Sequence, residues 1–280
     1  MDKINIEELI LNYIKEDVGD GDHTSLACIP KETVGKVKLI VKENGIIAGI
    51  GVSKTIFSLI DKNIKIVYHK HDGETINKDD IVFEAEGNSI SLLLAERLVL
   101  NCMQRMSGIA TETKKYSEVI KHTKAKILDT RKTTPGFRIF EKMAVKIGGG
   151  ENHRMGLYDM IMIKDNHVDF SGGIENAINA TNKYLKENKK DLKIIIEARS
   201  LEEVKSILNT GNVDRIMLDN FSITNTIKAV SLINNKYEVE SSGNITLNNL
   251  LDYAECGVDY ISIGALTHHI KSLDLSLKAV

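Results

Sequence analysis

The period of the apolar residues divides the chain. Before Asn88, apolar and polar positions alternate in Gly35-Lys-Val-Lys-Leu-Ile-Val-Lys42, Ile64-Lys-Ile-Val-Tyr68 and Ile81-Val-Phe-Glu-Ala85, with Glu43-Asn-Gly45 and His71-Asp-Gly73 among the turns. This pattern predicts an antiparallel sheet with one wet face. Ile90 to Ile120 then takes a helical period, predicting a long helix over the dry face that could break at Ser107-Gly108. Beyond it, short apolar runs at Ile127-Leu128, Met160–Ile163, Lys193–Ile196, Asp214–Leu218, Tyr237–Val239 and Tyr260–Ile263 predict strands. Helical patterns lie between them at 140–147, 174–187, 201–208, 223–233 and 247–256. Ser200 with Glu203 reads as a capping box, and Gly211 and Gly257 sit where helix ends favour a left-handed residue. Strand and helix in alternation imply parallel strands joined by right-handed crossovers, so every strand C-terminus falls on one face.

The expected fold is therefore α/β, with an N-terminal sandwich built on an antiparallel sheet over residues 1–111. An open, incomplete parallel barrel follows over 112–270, shorter than the ~250 residues of an eight-unit barrel. The tail 271–280 is a candidate to pack on the first domain. A doubly wound sheet is the alternative, weakened because no Gly-x-Gly-x-x-Gly follows the first strand.

Composition sets limits. The 280 residues carry 37 basic and 39 acidic side chains, a net charge of −2, which leaves no global field for nucleic acid or an anionic membrane. No apolar run nears the ~20 residues that span a bilayer, and Met1 to Glu8 is acidic and helical in pattern rather than a signal peptide. A cytoplasmic protein is expected. Cys28, Cys102 and Cys256 are too scattered for a disulfide framework or a zinc site and are expected to be small buried hydrophobes. His153, His167, His268 and His269 lack metal-ligand spacing, so hydrogen bonding is their default role.

Candidate chemistry follows from position rather than count. Most lysines and arginines of any chain are solvated surface, but Arg131, Lys132 and Lys164 follow buried-type strands on the edge where barrel sites form, and Arg154 follows a glycine run. Convergent cations call for a ligand with several negative charges, carboxylates or phosphates. Glu197 and Asp219 end two further strands and could be general bases, salt-bridge partners (Arg199 for Glu197) or Mg²⁺ ligands; a phosphate site beside them favours the metal. Ser242-Gly243-Asn244 and Gly264-Ala265 end the last two strands and offer backbone N–H groups to phosphate.

Several segments carry a resemblance. Glu16-Asp-Val-Gly-Asp-Gly-Asp-His-Thr24, Asn101 to Thr111, Asp129-Thr-Arg-Lys-Thr-Thr-Pro-Gly136, Gly148-Gly-Gly-Glu-Asn-His-Arg154, Ile163-Lys-Asp-Asn-His167 and Ile263-Gly-Ala-Leu-Thr-His268 resemble the signature segments of the quinolinate phosphoribosyltransferase family. Order and spacing hold over nearly the whole chain. The resemblance implies a sandwich followed by an open barrel, and Mg²⁺-dependent transfer of phosphoribose from phosphoribosyl pyrophosphate to quinolinate in de novo NAD biosynthesis. The products are nicotinate mononucleotide, pyrophosphate and CO₂. It further implies that Arg105, Thr130, Arg131, Lys132, His153, Arg154 and Lys164 surround quinolinate. Glu197, Asp219, Ser242, Gly243, Asn244, Ile263, Gly264, Ala265 and His268 would hold the donor, with Glu197 and Asp219 on the metal directly or through water. Lys132, Lys164, Glu197 and Asp219 would be the catalytic set. A homodimer, open to larger assembly, would lend Arg105 across its interface. Departures from the family's pattern are mild: Cys102-Met103, Ser241 and Asn244.

Overall fold

Asn5 accepts hydrogen bonds from the backbone N–H groups of Glu7 and Glu8 and so starts the first helix. The computed structural model describes residues 5–280; the part of the N-terminal helical expectation that falls on Met1 to Ile4 lies outside them. In chain order the elements are α1 (Ile6–Val18), α2 (His23–Cys28), β1 (Val34–Val41), β2 (Gly45–Ile46), α3 (Ile50–Ile60), β3 (Lys65–Tyr68), β4 (Thr75–Ile76), β5 (Ile81–Asn88) and α4 (Ser89–Ile120). Next come β6 (Lys126–Leu128), α5 (Arg138–Ile147), β7 (Ile161–Ile163), α6 (Asp165–Phe170), α7 (Ile174–Glu187), β8 (Ile194–Ala198), α8 (Leu201–Thr210) and β9 (Arg215–Asp219). The chain ends with α9 (Ile223–Ile233), β10 (Glu238–Ser242), α10 (Leu250–Glu255), β11 (Tyr260–Ser262), α11 (Ala265–His268) and β12 (Leu275–Ala279).

Packing groups these into two compact units: residues up to 114 with 134–149 and 269–280, and residues 115–133 with 150–268. The grouping follows contact rather than chain order, so α5 and β12 belong to the first unit. Its main sheet has the order β12-β1-β5-β3, antiparallel throughout. Val37, Leu39 and Val41 of β1 are buried, while Lys36 and Lys38 pair across the sheet with Glu86 at 3.1 Å and Glu84 at 2.9 Å. That is the wet face which the alternation predicts.

The helix α4 does not break at Ser107-Gly108; it runs for 32 residues. Ser107 Oγ accepts from the N–H of Ala48 at 3.0 Å, and a side chain at 108 would strike the carbonyl of Lys271. The pair marks a close approach of backbones, which glycine permits, rather than a helix end. Cys102 and Met103 are buried on the same helix.

The second unit holds a six-stranded parallel sheet in the order β6-β11-β10-β9-β8-β7. First and last strands pair, so the sheet follows chain order around a ring that lacks only a β6–β7 pairing, and the barrel is open there. Gly211 and Gly257 have φ of 71° and 86°, as helix ends of this type require. Ser200 Oγ accepts from the N–H of Glu203 at 3.2 Å, whereas the Glu203 carboxylate turns to the N–H of Arg199 at 2.7 Å, so half of the capping box forms. The helix α10 starts later than its periodicity suggests, because Asn249 Oδ1 accepts the N–H of Thr246 and folds the preceding residues into a turn.

Candidate active site

Parallel pairing puts the C-terminal ends of all six strands on one edge, where a cavity of about 650 Å³ opens within the second unit. The register decides which side chains enter it. Glu197 lies opposite Met217, which lies opposite Glu240, and Asp219 lies opposite Ser242. Residues two apart on a strand share a face, so Met217 and Asp219 point the same way, as do Glu240 and Ser242. Ile216, Leu218 and Val239 take the other face, toward the helices, and are buried.

The loop after β6 brings Thr130, Arg131 and Lys132 to the cavity, and the segment before β7 brings His153 and Arg154. Asp129, fully buried, accepts from the N–H of His153 at 2.9 Å and ties the two segments together. Thr130 Oγ1 accepts the N–H of Lys132 at 3.0 Å, and Thr267 donates to the carbonyl of Lys132 at 2.7 Å, which fixes that turn beside α11. Arg154 is 8 % exposed, and its Nη1 donates to the carbonyl of Met160 at 3.1 Å. Burial pushes its guanidinium below the ordinary value, the charge of Arg131 pushes it further, and Asp159 and Glu197 offset part of this. Two guanidinium groups that oppose each other's charge at the mouth of a cavity favour an anion between them.

Lys164 directly follows β7 and forms an ion pair with Glu197 at the end of β8. The lysine side chain is 44 % exposed and the glutamate 10 %, so the ammonium reaches the cavity while its counter-charge is held in the wall. On the opposite side Asn220, Gly243 and Asn244 have φ of 55°, 93° and 53°. A side chain at 243 would collide with Asn220, which explains the glycine; asparagine tolerates the left-handed region at 244, so this departure from the family's pattern keeps the backbone path. Asn220 donates to Asp219 at 2.9 Å and accepts from Asn244 at 3.0 Å, joining the loops after β9 and β10. Ser242, Ile263, Gly264, Ala265 and His268 complete this wall, and a Cβ at 264 would crowd His268 and Lys132.

Every residue predicted for the site lines this cavity except Arg105. Arg105 lies in the first unit, where its Nε and Nη2 donate to Glu141 Oε1 at 3.1 and 2.9 Å and its Nη1 to the carbonyl of Ile270 at 3.3 Å. It lines a second cavity, of about 420 Å³, with Tyr13, Cys102, Thr134 and Phe137. The alternative pairing of Glu197 with Arg199 is not seen: Arg199 binds Glu203 and Asp169, which hold its guanidinium above the ordinary value. His167 accepts the N–H of Lys164 through Nδ1 at 2.9 Å and caps α6. Cys28 is exposed rather than buried, because α2 is a single short helix with one buried residue.

Arg215, Glu238 and Glu240 were not singled out from the sequence, although a signal is there on β10, where Glu238 and Glu240 flank Val239. Arg215 Nη1 donates to Glu240 Oε2 at 2.9 Å, its Nε and Nη2 donate to Glu238, and its guanidinium lies 3.7 Å from the centre of the Tyr260 ring. Met162, Met217, Asn220, Ile245, Thr246 and Ser262 also line the cavity unforeseen. Among the described residues, no group of three or more His, Cys, Asp or Glu converges as for a metal, and no helix is long and apolar enough to cross a membrane.

An edge lined by cations and two strand-end carboxylates suits a polyanionic substrate pair, and known proteins carry the same two domains in the same order. Residues 22–107 match the family model for the N-terminal domain of quinolinate phosphoribosyl transferase, and residues 109–278 match that for its C-terminal domain. A quinolinate phosphoribosyltransferase [decarboxylating] 2b of Nicotiana tabacum is 42 % identical, over 98 % of this chain and 82 % of its own length. A probable nicotinate-nucleotide pyrophosphorylase [carboxylating] of Bacillus subtilis is 39 % identical over 99 % of this chain and 94 % of its own. The crystal structure of NadC from Streptococcus pyogenes superposes with a TM-score of 0.92 at 36 % identity and covers all of both chains. With both domains matched and relatives this similar along nearly its full length, the chain belongs to the quinolinate phosphoribosyltransferase family.

Proposed function

We propose that this protein transfers the phosphoribosyl group of phosphoribosyl pyrophosphate to quinolinate, with decarboxylation, in the biosynthesis of NAD. The observation that carries the reading is that one cavity is lined both by Arg131, Lys132, Arg154 and Lys164 and by Glu197 and Asp219. The cations suit the two carboxylates of quinolinate. The loops after β10 and β11 suit the phosphates of the donor. Bond formation joins the ring nitrogen of quinolinate to C1′ of the ribose as the C1′–O bond to pyrophosphate breaks. The bond from C2 to its carboxylate then breaks, CO₂ leaves, and the electron pair left at C2, stabilised by the adjacent cationic nitrogen, takes up a proton.

The residues act chiefly by positioning and by charge. Arg131 and Arg154 grip the carboxylate that stays. Lys164 reaches toward the reacting centre from its pairing with Glu197, and Lys132 flanks the leaving pyrophosphate beside Gly264. The site must not bind the departing carboxylate as tightly in the ground state as in the transition state, since uniform binding brings no rate. Glu197 and Asp219 are hard oxygen donors at the ends of neighbouring strands, facing one cavity, a set that fits Mg²⁺ shared with substrate phosphates. Bound there, Mg²⁺ supplies charge neutralisation for the leaving pyrophosphate.

The same reading takes a homodimer as the working unit, in which the partner's Arg105 completes the grip on quinolinate. It is supported by the guanidinium of Arg105, which Glu141 and the carbonyl of Ile270 already orient at the wall of a cavity. A cytoplasmic location belongs to it too, supported by three free cysteines. The test is incubation with quinolinate, phosphoribosyl pyrophosphate and Mg²⁺, following nicotinate mononucleotide and CO₂ together with nicotinate as competing acceptor. Equal amounts of both products from quinolinate are expected; product from nicotinate without CO₂, or none from either, would overturn the reading.

A further inference from the structure

The inner face of the parallel sheet carries a line of charge that ends at the cavity. At its buried centre is Glu240, with no exposed surface, its Oε2 accepting from Arg215 at 2.9 Å and standing 3.4 Å from His153 Nε2. On the far side of the same ring, His153 Nδ1 accepts the backbone N–H of Arg154 at 2.7 Å. Only a ring nitrogen bearing a lone pair can accept, so Nδ1 is unprotonated and the proton sits on Nε2, facing Glu240. A buried carboxylate, an imidazole of one tautomer and the backbone of Arg154 thus form one chain.

We propose that Glu240 is a positioning residue of the acceptor site: it selects the Nε2–H tautomer of His153, which in turn holds the Arg154 backbone so that its guanidinium meets the carboxylates of the acceptor. The inference rests on the reading of Arg154 as a carboxylate-gripping residue. The 3.4 Å separation is longer than an ideal N–H···O bond, so Glu240 acts on the ring as a weak acceptor whose pull the low-dielectric interior strengthens. Burial favours the neutral carboxyl of Glu240, and the charge and hydrogen bond of Arg215 oppose it and favour the carboxylate. Arg215 supplies the charge that makes this tolerable, and Glu238 and the face of Tyr260 occupy the rest of its guanidinium. His153 thus turns Nδ1 to the Arg154 backbone and Nε2 to Glu240. The arginines then bear the task of binding the anion. Asp129 fixes the same segment from the other side by taking the N–H of His153, so the peptide units on both sides of the ring are anchored.

Two substitutions separate this role from simple neutralisation of Arg215. Glu240→Gln and Glu240→Leu strip the same charge from Arg215, but only glutamine leaves an acceptor opposite Nε2. The leucine variant should raise KM for quinolinate at least about ten-fold above that of the glutamine variant, with KM for phosphoribosyl pyrophosphate equal in both within about two-fold. Equal KM for quinolinate in the two variants would overturn the proposal. Should either variant fail to fold, the wild-type protein decides alone: the ¹⁵N signals of the His153 ring at a pH of about 7 should show Nε2 protonated and Nδ1 bare, and a doubly protonated ring or the opposite tautomer would overturn it. Arg154→Lys, measured in parallel, tests the underlying reading separately. A normal quinolinate KM in that variant would remove the gripping role of Arg154 while the His153 spectrum still reports the tautomer.

Discussion

The two larger sheets of this protein use cross-strand ion pairs in opposite ways. On the antiparallel sheet Lys38 and Glu84 meet at 2.9 Å with side chains 31 % and 30 % exposed; on the parallel sheet Arg215 and Glu240 meet at the same distance with 9 % and 0 %. Geometry is shared and surroundings are not. An exposed pair gains little, because water and salt screen it and two flexible side chains must be ordered. A buried pair is costly to desolvate, so its presence points to something other than stability, and breaking it on one side leaves a bare charge. The contrast teaches that distance alone says nothing about what an ion pair does; what faces it decides.

The sharpest way to break the comparison is to remove one partner from each sheet. Arg215→Met leaves Glu240 buried with His153 and should lower the unfolding free energy by about 3–5 kcal/mol in denaturant titration. A loss under about 1 kcal/mol, the range of an exposed pair, would erase the contrast. Lys164→Ala acts at the cavity, where one partner is exposed and the other is not, and should cut kcat by about a hundred-fold or more while KM changes less. Raised KM with wild-type kcat would make Lys164 a binding residue only. Chelation of Mg²⁺ should stop turnover and weaken donor binding in calorimetry; donor binding indifferent to the metal would leave Glu197 and Asp219 without their role.

Acid sharpens the comparison further. The folded-state pKa of Glu240 lies below its ordinary value, so its contribution to stability is fully present above the unfolded value of about 4.3 and is lost as pH falls through the lower folded value. Arg215→Met should flatten that loss. An acid limb of unchanged steepness would show that other carboxylates govern it. The smallest effect belongs to Lys38→Ala, expected to cost about 0.2–1 kcal/mol and less at high salt.

Cysteines offer an independent check on burial. Desolvation pushes the Cys102 thiol up to about 12, so it should stay protonated and slow toward alkylating reagents at neutral pH, while exposed Cys28 reacts readily. Mass mapping of partly alkylated protein would reveal Cys102 labelled first if α4 is less closely packed than described.

Much of the site was legible because parallel strands with short connections can end on only one edge, and the chain marks each end by an abrupt change from apolar to charged. Lys164, Glu197 and Asp219 stand at such changes, and they line one cavity. Arg105 has no such mark: it sits inside an apolar helix, and its partner Glu141 is 36 residues away, so its surroundings follow from packing. Glu240 shows the same limit from the other side. Read along the chain it closes a strand; only register, which sets it beside Met217 and turns it inward toward His153, makes it part of a buried line of charge.

The sequence by itself determined the class of fold, the shared edge and the family, because periodicity, helix ends and signature segments are local and survive without knowledge of neighbours. Tertiary structure alone decided the unbroken α4, the pairing of Lys164 with Glu197 rather than Glu197 with Arg199, and the approach of Glu240 to His153. Each of these depends on which groups distant in the chain come within hydrogen-bonding reach, and that is set by strand register and burial, not by spacing along the backbone.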